Sequence, residues 1–198
     1  MIKVGIITAS DKGSQGERED RSGEALKELV KGINGEVVKY AILPDDLKVL
    51  ADTMSQWADE GEVDLLLTTG GTGFSPRDVT PEATIAVAER MAPGIAEVMR
   101  YESLKVTPMG MLSRAVAALR KKTLIINMPG SPKAVKECWN AIAPALPHGI
   151  EILKGEASEC ASNKHLHHHH HDHHHDHHHG HEDHQGHHHC HNHDHHKS

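Results

Sequence analysis

The stretch from Leu65 to Thr84, LLLTTGGTGFSPRDVTPEAT, restricts what this chain can fold into more than any other. Leu65, Leu66 and Leu67 form a short apolar run of the kind found in strands buried on both faces. Gly70, Gly71 and Gly73 follow, able to take positive φ and to let a ligand approach the main chain closely. Thr80-Pro81-Glu82 reads as a helix start, with threonine as N-cap and proline at the first helical position. A strand, a glycine turn and a helix N-terminus in succession offer N–H groups to an anion, above all a phosphate. Taken alone, the glycines fit a tight strand-to-helix connection with no ligand equally well.

The same alternation recurs along the chain. Ile2 to Thr8 reads as a strand, and Asp11 to Gly16 as a polar loop. A helix begins near Ser22 and carries Ala25, Leu26, Leu29 and Val30 at helical spacing. Glu36 to Leu43 is a second strand ending at Pro44-Asp45-Asp46, and Leu47, Leu50, Met54 and Trp57 mark the next helix. Asp64 to Thr68 is the third strand, and two or three helices are expected from Pro81 to near Leu119. Thr123 to Asn127 is the fourth, followed by Met128-Pro129-Gly130-Ser131-Pro132 and a helix with Val135, Cys138 and Trp139. Strands alternating with helices predict a three-layer α/β fold, Rossmann-like, with a mainly parallel sheet and helices on both faces. Ser10, Asp11, Asp45, the loop from Gly70 to Asp78 and that from Asn127 to Ser131 then gather at the carboxyl edge, where such sheets bind ligands.

Composition divides the chain. Of 22 histidines, 21 lie between His165 and His196. This leaves about 160 residues of ordinary composition, enough for one domain with its own core. The expected organisation is a domain over 1–155, a linker over 156–164 and a histidine-rich tail over 165–198. Aromatic residues make up only 3%, so aliphatic side chains must fill the core. A net charge of −7 provides no basic footprint for nucleic acid. No stretch approaches the roughly 18 apolar residues of a membrane span, and the N-terminus has no signal-peptide pattern. Cys138, Cys160 and Cys190 are odd in number and widely spaced, which argues against a disulfide framework. A cytoplasmic location is expected.

The loops carry the chemistry. The glycine turn is neither a Walker A loop nor a dinucleotide fingerprint. Arg77 suits an oxyanion beside N–H groups, whereas Asp78 repels one unless a divalent cation bridges them. Mg²⁺ held by one or two carboxylates and by substrate phosphates reconciles the two. Asp45 has two readings, as the second carboxylate or as the N-cap of the following helix. Asn127 to Pro132 repeats the strand, glycine turn and helix start, and serves either a ligand or the turn itself. Arg114, after Ser113, is a second arginine able to reach an anion or to stand on a solvated helix face. Cys138 is expected in the core, and His148 in a structural role.

In order along the chain, TASDKGSQGEREDRSG, ILPDD, TTGGTGFSPRDVTPEAT, MGMLSRAV and LIINMPGSPKAVKECW resemble the molybdopterin adenylyltransferases of molybdenum cofactor biosynthesis, which include the amino-terminal domain of gephyrin-like proteins. The resemblance spans about residues 1–155, and GGTG followed by RDVTPE is its most specific part. It implies a Mg²⁺-dependent nucleotidyltransferase that moves AMP from ATP to molybdopterin and releases pyrophosphate. By the same resemblance, Asp45 and Asp78 are the catalytic, Mg²⁺-handling carboxylates, and Gly70, Gly71, Thr72 and Gly73 the nucleotide-phosphate loop. Ser10, Asp11, Ser113, Arg114, Pro129, Gly130 and Ser131 fall on loops near the pterin or the nucleotide. A homotrimer and a downstream molybdenum insertase as receiver of the product are also implied.

The resemblance stops before the tail, whose composition cannot build a core. Its histidines are interspersed with Asp, Glu, Gly, Gln, Asn and Cys190, unlike a plain purification tag. His167, His168, His169, His170, His171 and Cys190 are candidate ligands for Ni, Zn, Cu or Co, with loose selectivity because no fixed geometry is set. The other reading of the whole chain is therefore a metal storage or delivery protein with a pterin- or nucleotide-binding domain.

Overall fold

The computed structural model describes residues 1–156, so the tail ligands His167 to His171 and Cys190 lie outside the described residues. Six strands form one sheet: β1 (Ile2–Ala9), β2 (Gly35–Leu43), β3 (Leu65–Thr69), β4 (Arg90–Met91), β5 (Ala117–Arg120) and β6 (Thr123–Met128). Their order is β2-β1-β3-β6-β5-β4. β2, β1, β3 and β6 run parallel, while β5 pairs antiparallel with β6 and β4 antiparallel with β5. The helices are α1 (Asp11–Ser14), α2 (Arg21–Leu29), α3 (Leu47–Asp59), α4 (Thr80–Val87), α5 (Pro93–Val106), α6 (Pro132–Ile142) and α7 (Leu146–Lys154). Among the described residues no helix is long and apolar enough to cross a membrane.

The core follows from strand alternation. Val4, Ile6, Leu65, Leu67, Leu124 and Ile126 face one side of the sheet, where Leu26, Met99, Trp139 and Ile150 from α2, α5, α6 and α7 cover them. Ile7, Leu66 and Ile125 face the other, against Leu50 and Met54 of α3 and Ala83 and Val87 of α4. Gly5 lets α3 come close: a Cβ there would stand 3.0 Å from Cε3 of Trp57. The sheet is thus sandwiched between helical layers, as the α/β alternation predicts.

Two strands depart from the expected all-helical stretch from Pro81 to Leu119. β4 has only two residues, and β5 reads Ala-Ala-Leu-Arg, without the β-branched residues that announce a strand. Pairing decides the matter, since Ala118 sits in register with Ile125 and Leu119 with Leu124. α1 stands where a loop is expected, because the Ser10 hydroxyl accepts the Gly13 N–H at 3.0 Å and caps one helical turn. α7 extends beyond the last helix that the sequence pattern marks. Cys138 is buried as expected, whereas His148 is exposed on α7 rather than built into the structure.

Chain order reverses between β1 and β3, since β1 leads to β2 on one side and β3 lies on the other. The carboxyl ends of β1 and β3 therefore splay their loops apart, which opens a cleft there.

Candidate functional site

A cleft of about 910 Å³ opens at this switch point. Ser10, Asp45, Gly70, Gly71, Asp78, Gly130 and Ser131, all singled out from sequence, line it together. Thr8, Arg18, Asp20, Ser22 and Thr69 line it as well, and the sequence pattern did not mark them as site residues.

The floor is the glycine loop. Gly70 has φ +92°, and a Cβ there would fall 2.4 Å from the Ala9 carbonyl oxygen; Gly71 has φ +63°. Only glycine tolerates both demands at once. The Cα of Gly70 lies 3.3 Å from where a Cβ of Gly130 would stand, so the loops after β3 and β6 also touch. The Thr69 hydroxyl donates to the Pro129 carbonyl at 2.7 Å and fastens them. The N–H groups of Gly71, Thr72 and Gly73, and those of Gly130 and Ser131, donate to no other residue among the described ones. Ser131 is the N-cap residue of α6, and its side chain makes no capping bond. The cleft thus gathers uncommitted backbone donors at a turn and at a helix N-terminus, a setting that attracts anions.

Neighbouring aspartates divide the labour after β2. Asp46 caps α3 by accepting the Val49 N–H at 3.0 Å, which removes the N-cap reading of Asp45. Asp45 is left for the cleft, and its Oδ2 accepts the Asp11 N–H at 2.9 Å. Burial, above all, pushes its carboxyl above the usual aspartate range; the charges of Asp11 and Asp78 add to the rise, against the Asp11 N–H and Arg77. Asp78 closes its own turn, with Oδ2 accepting the Ser75 N–H at 3.0 Å. That oxygen also lies 2.8 Å from where a Cβ of Gly73 would be, so the glycine makes room for the carboxylate.

Arg77 does not stand free for an oxyanion. Its Nε and Nη2 make a bidentate pair with Asp11 at 3.0 and 2.9 Å. Arg77 and the Asp45 N–H together hold the Asp11 carboxyl below its ordinary range. Arg114 lies on an extended segment before β5 rather than on a helix. Its Nε donates to the Gly73 carbonyl at 2.7 Å and its Nη2 to the Asp78 carbonyl at 2.6 Å, and Nη1 pairs with Glu82. The backbone N–H of Arg114 also bonds the Thr72 carbonyl at 2.9 Å. Its guanidinium is therefore spent on shaping the glycine loop. Ser113 accepts the Ala115 N–H at 3.4 Å, and neither residue is part of the cleft lining.

Thr80 is the first helical residue of α4 rather than its N-cap, a position held by Val79. Its backbone N–H bonds the Gly71 carbonyl at 3.1 Å, while its buried hydroxyl has no partner among the described residues. The helix start is thus tied to the floor of the site through the main chain.

Asp45 and Asp78 bring two carboxylates to the cleft, the hard oxygen donors that a divalent cation takes. Among the described residues no group of three or more His, Cys, Asp or Glu is placed to hold a metal ion by itself. Two carboxylates with the remaining ligands supplied by substrate phosphates are the usual arrangement for Mg²⁺. A cleft with anion-binding backbone, acidic residues and room for a heterocycle can align a nucleoside triphosphate with a phosphorylated acceptor.

Residues 5–148 match a family described as a probable molybdopterin binding domain. The molybdopterin adenylyltransferase of Helicobacter pylori (strain J99) is 42% identical over 156 residues, covering 78% of this chain and 89% of that one. The molybdopterin adenylyltransferase of Escherichia coli K12 is 37% identical over 174 residues, covering 81% and 89%. The crystal structure of the molybdopterin biosynthesis enzyme MoaB from Thermus thermophilus superposes with a TM-score of 0.74 at 47% identity, covering 78% of this chain and 98% of that one. With the family matched across residues 5–148 and these identities and superposition in hand, the chain belongs to the molybdopterin-binding family of molybdenum cofactor biosynthesis.

Proposed function

We propose that this protein is a molybdopterin adenylyltransferase, which transfers AMP from ATP to molybdopterin and releases pyrophosphate. One observation carries the reading: the uncommitted N–H groups of Gly71, Gly130 and Ser131 share a cleft with Asp45 and Asp78. In-line transfer to the terminal phosphate of the pterin asks chiefly for alignment and charge neutralisation. Gly70 and Gly71 meet the triphosphate through the backbone, Thr72 and Gly73 continue that loop just outside the cleft lining, and Gly130 and Ser131 hold the second phosphate group at the start of α6. Asp45 and Asp78 would hold Mg²⁺, which when bound neutralises phosphate charge. The acceptor is already a phosphate anion, so no side chain needs to remove a proton from it.

The test is incubation of the full-length protein with molybdopterin, ATP and Mg²⁺. Adenylylated pterin and pyrophosphate are expected, with a fall of at least about 100-fold in Asp78→Asn. Absence of product, or an unchanged rate in that variant, would sink the assignment.

A cytoplasmic homotrimer that passes its product to a molybdenum insertase fits the same reading. Tyr101 and Leu104 of α5 and Met109 and Met111 in the turn after it are exposed apolar side chains of the kind a second copy of the chain would cover. Light scattering on the purified protein measures the oligomeric state.

The histidine tail favours a second, compatible role. Twenty-one of the 22 histidines lie between His165 and His196, a composition suited to buffering Ni, Zn, Cu or Co.

A further inference from the structure

The cleft wall formed by the end of β1 and the start of α2 carries a hydrogen-bond network that the transfer step does not use. At its centre is Asp20, the N-cap of α2. Its Oδ2 accepts the Thr8 hydroxyl at 2.5 Å and the Tyr40 hydroxyl at 2.6 Å. Its Oδ1 accepts the Gly23 N–H at 2.8 Å and the Ser22 hydroxyl at 3.1 Å. Lys27 Nζ sits 3.6 Å from the centre of the Tyr40 ring and holds the phenol from its face. A Cβ on Gly23 would fall 2.1 Å from Asp20 Oδ2 and 2.9 Å from Thr8 Oγ1, so the cluster packs against bare backbone.

An ionised carboxylate only accepts, and each hydroxyl has a single proton to give. Burial opposes the charge on Asp20, but the hydrogen bonds from Thr8, Tyr40, Gly23 and Ser22 outweigh it and hold the carboxyl below its ordinary range. At neutral pH the protons of Thr8 and Ser22 are therefore committed to Asp20. Thr8, Asp20 and Ser22 all line the cleft, where the two hydroxyls retain only lone pairs for a ligand.

We propose that Asp20 is a positioning residue that fixes Thr8 and Ser22 as hydrogen-bond acceptors, so that this wall selects the donor edge of the pterin ring. The identity of that heterocycle rests on the adenylyltransferase reading; the polarity of the wall does not. A pterin presents its 2-amino group and the neighbouring ring N–H as adjacent donors. Adenine presents its amino group beside a ring acceptor, which would face a lone pair here. Thr8 and Ser22 are only 5% and 8% exposed, so little water remains to soften such a mismatch.

The test uses the full-length protein and equilibrium binding of three probes: neopterin monophosphate, the matching lumazine in which oxygen replaces the 2-amino group, and ATP. The unaltered protein should prefer the pterin over the lumazine by about ten-fold. Asp20→Asn keeps the shape but points an amide donor at Thr8 and Tyr40, which turns a hydroxyl proton toward the cleft. The pterin preference should then vanish or invert, with ATP affinity changed less than about two-fold. Ser22→Ala, which leaves the carboxylate in place, should lower the preference in the same direction and guards against misfolding of the first variant. An unaltered preference in both variants, a parallel loss of ATP affinity, or no binding of neopterin monophosphate by the unaltered protein overturns the proposal. Discrimination without adenylylated product in the transfer assay leaves this inference standing and removes the enzymatic assignment instead.

Discussion

Asp11 and Asp45 each accept the other's backbone N–H, at 2.9 Å onto Asp45 and 3.0 Å onto Asp11. The loops after β1 and β2 are thereby locked by a reciprocal pair, and Arg77 adds the loop after β3 through its bidentate grip on Asp11. Asp11 supplies this lock from outside the lining of the cleft. Asp11→Ala should free both Arg77 and the Asp45 loop. The KM for ATP is expected to rise about five-fold with a smaller change in kcat, because alignment of the bound nucleotide suffers first. Steady-state kinetics at varied ATP measure it, and a pure kcat loss would contradict the account.

Asp45 should oppose stability while serving function. Its carboxyl titrates above the ordinary range because burial and the charges of Asp11 and Asp78 disfavour ionisation. The folded protein thus binds this proton more tightly than the unfolded chain does. Its contribution is full at low pH and is lost as pH rises through the folded-state value. Asp45→Asn should abolish transfer and keep or raise the Tm at pH 7, with the advantage over the unaltered protein shrinking toward pH 4. Asp20 has the opposite sign: its lowered pKa contributes stability above the ordinary carboxylate range that is lost on acidification. Thermal melts across that range separate the two.

Arg114 holds the carbonyls of Gly73 and Asp78 and the Glu82 carboxylate at once. Lysine cannot reproduce that fork. Arg114→Lys is expected to cost about 2 kcal/mol, read as a Tm lower by some 4–8 °C. It should also depress kcat, since the loop that positions Asp78 loses its brace. Calorimetry paired with the transfer assay checks both, and full activity at unchanged Tm would refute the bracing role.

Removing residues 165–198 should abolish binding of Ni²⁺ and Zn²⁺ while leaving adenylyl transfer at saturating Mg²⁺ intact. Binding by the full chain should weaken as pH falls through about 6.5, where imidazole gains its proton. Equilibrium dialysis with and without the tail gives the answer directly; equal stoichiometry would end the metal-handling role.

Much of the fold was legible because the strand signals are strong. Leu65-Leu66-Leu67 and Thr123-Leu124-Ile125-Ile126 are buried on both faces and need no partner to be recognised. β5 was not legible, since Ala117-Ala118-Leu119 has no local strand preference and becomes one by pairing with β6. At the site, the glycines and Asp78 stood out in the linear motif. The choice between Asp45 and Asp46 did not, because either aspartate suits a cap and only the fold shows which one takes it. Asp20 escaped notice for a different reason. Its partners Thr8, Tyr40 and Ser22 come from three elements, and the one local clue was an aspartate three residues before a glycine at a helix start.

The contacts that fasten the glycine loop have a mechanical meaning. Gly70 lies against the Ala9 carbonyl, Gly130 against Gly70, Thr80 N–H on the Gly71 carbonyl and Arg114 N–H on the Thr72 carbonyl. Its neighbours therefore clamp the loop along its length, and it moves as part of the sheet rather than as a hinge. Nucleotide and pterin meet a floor already cast in its final shape, so amides tied there should exchange with deuterium only as slowly as the strands beneath them.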